Sequence, residues 1–251
     1  MSAEKPDTAL FITCLADLFR PAVGFATVKL LERAGCAVDV PMGQTCCGQP
    51  AYNSGDSTSA RALALQTIRL LMDYDYVVAP SGSCAAMIRL HYPALLAGDP
   101  EWAERARALA GRTWELTQFL HQVMKYDAST DEMPEKTAYL DSCSGLRELG
   151  VSDAPRALLR GSVLESGDSD ACCGFGGTFC VKYTAVSTAI ADKKLDSLAA
   201  TGATRVAGGD LGCLMHLAGR AARRGLDLEF RHVAEVLAGE TQSPAIAARD
   251  N

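Results

Sequence analysis

Apolar residues fall into two rhythms along this chain. Short unbroken runs at Ala9–Thr13, Ala37–Val40 and Tyr76–Ala79, the last closed by Pro80, have the length and composition of buried strands. Between them, Val23–Ala34 and Arg61–Met72 repeat apolar positions every three or four residues and read as helices. The pattern returns further on, with strands expected at Ala138–Leu140 and Thr204–Ala207 and a helix at Ala185–Ala200. Trp102, Ala106, Leu109, Thr113, Leu116, Leu120 and Val123 lie on one face of what the spacing predicts to be a single long amphipathic helix. Strands alternating with helices predict an α/β fold with a mainly parallel sheet.

The pattern also repeats. Thr8-Ala9-Leu10-Phe11-Ile12-Thr13-Cys14 matches Thr137-Ala138-Tyr139-Leu140-Asp141-Ser142-Cys143, and Cys46-Cys47-Gly48 matches Cys172-Cys173-Gly174. Ser81-Gly82-Ser83-Cys84 stands opposite Asp210-Leu211-Gly212-Cys213. The offsets are 129, 126 and 129 residues, about half of the 251-residue chain. Three landmarks in one order at nearly one offset predict two homologous, pseudo-symmetric halves, 1–130 and 131–251, each a mainly parallel sheet flanked by helices. The polar stretch from Lys125 to Lys136 is the expected seam.

Composition narrows the function. The chain is 48% hydrophobic and 22% charged, as in an ordinary globular protein. Its 24 basic and 30 acidic residues give a net charge of −6, with no basic stripe of the kind that binds nucleic acid. No apolar run reaches the ~18 residues of a membrane helix. The segment Met1-Ser2-Ala3-Glu4-Lys5-Pro6-Asp7 has neither the basic nor the long apolar region of a secretory leader, so a cytoplasmic location is expected. Ten cysteines in a reducing compartment then point to metal binding or redox chemistry rather than to disulfides.

Eight of the ten belong to the repeat, and each follows an expected strand. Ligands collect at the carboxyl ends of strands in open α/β sheets. Cys14, Cys46, Cys47 and Cys84 are therefore expected to converge in the first half, and Cys143, Cys172, Cys173 and Cys213 in the second. Four thiolates suit zinc or an iron–sulfur cluster. Neither half has the C-x2-C pair of a zinc ribbon. The adjacent cysteines, with Cα atoms ~3.8 Å apart, reach two metal atoms of a cluster more readily than one ion. Gly48 and Gly174 permit a tight turn and close backbone approach, and Gly174-Phe175-Gly176-Gly177 can aim N–H groups at an anionic cluster.

The remaining candidates read as structural. Cys36 is expected in the core. Cys180 is read as a bystander beside the second site, with accessory ligation the alternative. His121 is assigned to packing or surface, and His232 to a position near a helix start. His216, one helical turn after Cys213, could donate towards the site. Lys182, Lys193 and Lys194 are read as a solvated helix face, the alternative being attraction of a carboxylate or a partner. Ser81 and Asp210 are expected to cap helices rather than ligate through oxygen. The glycine-rich loop lacks the spacing of a dinucleotide fingerprint and the lysine of a P-loop. No catalytic residue is assigned.

Cys14, Cys46-Cys47-Gly48 and Cys84, repeated as Cys143, Cys172-Cys173-Gly174 and Cys213, resemble the duplicated cysteine-rich CCG domain. That domain occurs in heterodisulfide reductases, in glycolate oxidase iron–sulfur subunits and in lactate-utilisation proteins. Pro80-Ser81-Gly82-Ser83-Cys84, Cys172 to Phe179 and Asp210 to Met215 resemble the short two-domain lactate-utilisation branch, over about Leu10 to Leu237. The heterodisulfide reductase form of the domain ends each half with C-x-x-C, and here the first of that pair is Ser81 or Asp210. The resemblance implies a [4Fe–4S] cluster, one or two per chain, held by the eight repeated cysteines. It further implies an electron-transfer subunit of a system oxidising L-lactate to pyruvate, with an iron–sulfur partner and another subunit, and a small 2-hydroxy acid bound within the complex. A heterodisulfide reductase-like thiol–disulfide subunit and a non-enzymatic zinc-stabilised scaffold are the alternatives.

Overall fold

A computed structural model describes residues 4–128 and 135–248. The expected seam falls partly on residues 129–134, outside the described residues. The chain divides into two compact units between Tyr126 and Asp127.

The first unit holds a four-stranded parallel sheet in the order β2-β1-β3-β4, with β1 at Asp7–Leu10, β2 at Ala37–Asp39, β3 at Tyr76–Ala79 and β4 at Thr113–Glu115. β1 lies centrally, pairing Thr8 with Val38 on one side and with Tyr76 on the other. The order reverses at β1, which makes the gap between β1 and β3 the switch point where loops splay apart. Thr13 ends the first apolar run by accepting a hydrogen bond from Ala16 N–H, so Cys14 opens a helix, Cys14–Phe19, instead of extending the strand. The Ala22–Arg33 and Ser57–Leu71 helices cover the sheet, burying Leu30, Leu31, Ile68 and Leu71 against Leu10, Val77 and Val78. Each such side chain stabilises the unit by ~1.5–3 kcal/mol relative to exposure.

The stretch from Trp102 to Val123 is not one helix. A helix over Pro100–Arg112 stops at Thr113, and Thr113–Glu115 becomes β4, pairing Val77 with Thr113 and Ala79 with Glu115. The exposed ladder of β3 gains partners this way, and β-branched Thr113 with Trp114 suits a strand. Glu115 then caps the next helical turn, accepting from Gln118 N–H at 3.0 Å and from the Thr117 hydroxyl at 2.6 Å. A π-helical turn over Phe119–Val123 follows. Trp102, Ala106, Leu109, Thr113, Leu116 and Leu120 are all buried, so the three-to-four-residue rhythm runs on across the break.

The second unit repeats the plan: β5 (Thr137–Leu140), β6 (Val163–Leu164), β7 (Arg205–Gly208) and β8 (Glu229–His232) pair in parallel in the order β6-β5-β7-β8. The edge strands β4, β6 and β8 are additions to the pattern expected from the sequence. Helices Thr184–Ala199 and Leu211–Arg224 flank this sheet. The fold is thus α/β, two four-stranded parallel sheets flanked by helices. Among the described residues no helix is long and apolar enough to cross a membrane.

Candidate metal centre

In the first unit Cys14 opens the helix after β1, Cys46 and Cys47 lie in the loop after β2, and Cys84 lies in the Gly82–Ala86 helix after β3. Gln44 joins the first two loops: its carbonyl oxygen accepts from Ile12 N–H at 3.0 Å and its amide donates to the Leu10 carbonyl at 2.9 Å. Ser81 caps the third loop, accepting from Cys84 N–H at 3.2 Å. Its side chain therefore has the capping role expected of it.

The four thiols form a connected row. Cys14 donates to Cys46, Cys46 also contacts Cys47, and Cys47 Sγ lies 3.5 Å from Cys84 Sγ. Hydrogen bonds from Cys14 and then from Cys47 pull the Cys46 thiol down to about 2, aided by Gly48 N–H at 3.4 Å from its sulfur. Cys14 is pushed up first by its hydrogen bond with Cys46 and then by burial, and Cys47 by its hydrogen bonds with Cys46 and Cys84 and then by burial.

The second unit reproduces this with Cys143, Cys172, Cys173 and Cys213. Hydrogen bonds from Cys143 and then Cys173 bring Cys172 down to about 2, and Gly174 N–H lies 3.3 Å from its sulfur. Phe175 N–H lies 3.5 Å from Cys173 Sγ, and Cys173 and Cys213 sulfurs approach to 2.8 Å. Asp210 occupies the cap position of the Leu211–Arg224 helix without a side-chain capping hydrogen bond, which separates it from Ser81.

The glycine after each pair is required by geometry. Gly48 and Gly174 have φ of +89° and +87°, a region side chains rarely adopt. A Cβ on Gly174 would also lie 2.6 Å from the Ser187 carbonyl oxygen, whereas the nearest atom to one on Gly48 lies at 3.4 Å. The second loop is thus pressed onto the Thr184–Ala199 helix. The Ser187 hydroxyl donates to the Gly174 carbonyl at 2.8 Å and lies 3.3 Å from His216 Nε2, and burial pushes His216 below its ordinary value.

The other candidates are placed as follows. Cys36 is buried in the core. Cys180 donates to the Gly177 carbonyl at 3.1 Å. His232 caps the Val233–Ala238 helix through Nδ1, with Glu235 completing the reciprocal pair. Lys194 corrects the expectation of a solvated face: it is fully buried, and its ammonium donates to the carbonyls of Asp168 and Ser169. Two positions near the second set carry no signal in spacing. Arg147 reaches the Asp170 carbonyl at 2.7 Å, and Arg156 grips buried Asp141 through two hydrogen bonds of 3.0 and 2.8 Å.

All ten cysteines are free thiols. Among the described residues no group of three or more His, Cys, Asp or Glu side chains is spread around a single point as ligands of one ion. The thiols instead touch one another. The donor set still has the chemistry of a metal or iron–sulfur site: four sulfurs from three loops, with backbone N–H groups directed at the sulfurs of the adjacent pair.

Fold and thiol sets together define a duplicated, thiol-bearing α/β module. The chain belongs to the cysteine-rich CCG domain family, whose model matches twice, over residues 8–89 and 137–218. It is 47% identical to lactate utilization protein A of Geobacillus kaustophilus (strain HTA426), over 91% of this chain and 97% of that protein. Identity to lactate utilization protein A of Shouchella clausii (strain KSM-K16) is 47%, over 92% and 98% of the two chains. The protein of that name from Bacillus thuringiensis (strain Al Hakam) is 44% identical over 91% and 97%.

Proposed function

We propose that this chain is an iron–sulfur electron-transfer subunit of a cytoplasmic system that oxidises L-lactate to pyruvate, working with further iron–sulfur and other subunits. The observation that carries the reading is the twofold occurrence of four mutually contacting thiols at the carboxyl ends of a parallel sheet. The relatives' shared name supplies the lactate context. Cys14, Cys46, Cys47 and Cys84 would hold one [4Fe–4S] cluster in the 1–130 domain, and Cys143, Cys172, Cys173 and Cys213 a second in the 131–251 domain. When bound, such a cluster accepts and passes single electrons. The protein's part is to present the sulfurs from three rigid loops, to aim the Gly48, Gly174 and Phe175 N–H groups at them, and to shield the inner sulfurs of Cys47 and Cys173 from water.

Anaerobic purification from iron-replete cells, followed by iron, labile sulfide and zinc counts, tests the reading. The expected result is about four irons and four sulfides per occupied unit. Stoichiometric zinc without sulfide would overturn it in favour of a zinc-stabilised scaffold. A chain that reduces a heterodisulfide unaided would favour the thiol–disulfide alternative.

A further inference from the structure

The second unit contains a buried cation for which a four-thiol site alone has no use. Lys194 lies within the Thr184–Ala199 helix at 0% exposure, and its Nζ donates to the Asp168 carbonyl at 2.5 Å and the Ser169 carbonyl at 3.1 Å. Those carbonyls belong to the segment that runs into Cys172 and Cys173. Lysine is almost never fully buried unless paired, because an ammonium leaves water at a cost of several kcal/mol. Burial lowers the tendency of Lys194 to hold its proton, and the carboxylates of Asp141, Asp168 and Asp170 and the sulfur of Cys173 oppose that. Arg147 adds a second cation from the surface, donating to the Asp170 carbonyl of the same segment at 2.7 Å.

At the two places that match Lys194 and Arg147 the first unit has neutral groups. Gly48 packs on Ala60 and Leu63, and Gly174 on Ser187 and Ala191. That match aligns the two helices and sets Thr67 opposite Lys194. The spacing from Cys14 and Cys143 sets Leu18 opposite Arg147. Where Lys194 holds the second loop, the first is held by the Tyr92 hydroxyl, which donates to the Cys47 carbonyl at 2.7 Å beside Thr67.

Resting on the iron–sulfur reading, we infer that Lys194 is a positioning residue that both fastens the Cys172–Cys173 loop and puts a fixed positive charge behind it, making the second unit's centre the easier of the two to reduce. Net charge and hydrogen bonding around a cluster are among the factors that set its potential, and a nearby cation favours the more negative, reduced state. Each reduction takes one electron from an added donor such as dithionite, breaks no bond and takes up no proton.

The test is a potentiometric titration of the anaerobically prepared full chain followed by EPR, with iron and sulfide counted on the same sample. Cys46→Ser and Cys172→Ser chains assign the two signals. The second-unit signal is expected to develop at the higher potential. Lys194→Gln is expected to lower its reduction equilibrium by about tenfold, ~59 mV for one electron, leaving the first-unit midpoint in place, while Lys194→Arg keeps the higher value. An unchanged midpoint in Lys194→Gln overturns the inference with the iron–sulfur reading intact. So does a wild-type titration in which the first unit reduces first or together with the second, and that order decides even where Lys194→Gln holds no iron. A wild-type chain without labile sulfide overturns the iron–sulfur reading and the inference together.

Discussion

The Tyr92 hydroxyl donates to the Cys47 backbone carbonyl across 45 residues of sequence, at 2.7 Å and without access to solvent. Thr67 Oγ1 lies 3.2 Å from the same phenol oxygen. One phenol thus ties the Ser57–Leu71 helix, the Tyr92–Leu95 turn and the loop bearing the first cysteine pair. Tyr92→Phe keeps the ring and leaves the Cys47 carbonyl unpaired in the interior. The expected cost is ~1–3 kcal/mol, read as a lower urea midpoint with unchanged far-UV circular dichroism. An unchanged midpoint would show that the bond has no net worth.

The two glycines after the cysteine pairs are predicted to differ in tolerance. Both need a positive φ, but only Gly174 would drive a Cβ to 2.6 Å from a backbone carbonyl. Gly174→Ala should therefore destabilise the chain more than Gly48→Ala, with about 1 kcal/mol of strain common to both. Its anaerobic iron content should fall more as well. Thermal melts and iron counts on the two variants check the ranking, and equal losses would contradict it.

Cysteines inside and outside the repeat should separate cleanly. Cys172→Ala is expected to remove about four irons per chain with little loss of fold, because Cys172 is half-buried and its sulfur faces other thiols. Cys36→Ala should keep the iron and cost ~1 kcal/mol of stability, because its buried thiol acts as a small hydrophobe. Iron analysis beside urea denaturation distinguishes the two. Loss of iron from Cys36→Ala would place that residue in the site.

Arg156 links buried Asp141, two residues before Cys143, to Glu165 on the surface. Arg156→Ala leaves the Asp141 carboxylate buried without its partner and is expected to cost 3–5 kcal/mol, a typical figure of about that size for a broken buried pair. Hydrogen bonds from Arg156 hold Glu165 below the ordinary carboxylate value. A depressed carboxylate contributes stability that is fully present above the unfolded pKa, about 4.3, and lost as pH falls through the lower folded value. Denaturant midpoints taken from about pH 5 to pH 3 should therefore drop less steeply in Glu165→Gln than in the parent. Parallel profiles would sink this account.

The sequence made the strand ends legible because apolar runs and cysteines alternate in it. Tyr76–Ala79 is read without error, whereas β1 begins two residues earlier than expected, at Asp7, and ends at Leu10, ahead of the helix that Thr13 caps. Gly48 and Gly174 were readable from their place after a cysteine pair, and His232 from the apolar helix it precedes. The break at Thr113–Glu115 was not, because buried residues recur at helical spacing on both sides of it. Strand β6 is only two residues long, too short to show a period. Lys194 was misplaced for a different reason. Its partners are backbone carbonyls, which any residue can supply, so no side-chain pattern announces them.

Each set of four thiols is gathered from the ends of three strands, over the span from Cys14 to Cys84 or from Cys143 to Cys213. No short stretch of the extended chain offers more than the adjacent pair. In the first unit the strands must pair in the order β2-β1-β3, with a helix crossing between each, before the fourth sulfur, that of Cys84, reaches Cys47. During synthesis a unit can therefore complete its set only after its third strand has left the ribosome and docked. In a zinc finger the ligands lie close together in sequence and the metal supplies the folding energy, whereas here the thiols of a set are brought together by the pairing of buried strands. Because the chain is made from its amino terminus, the thiols of the first unit can be gathered before those of the second have been synthesised.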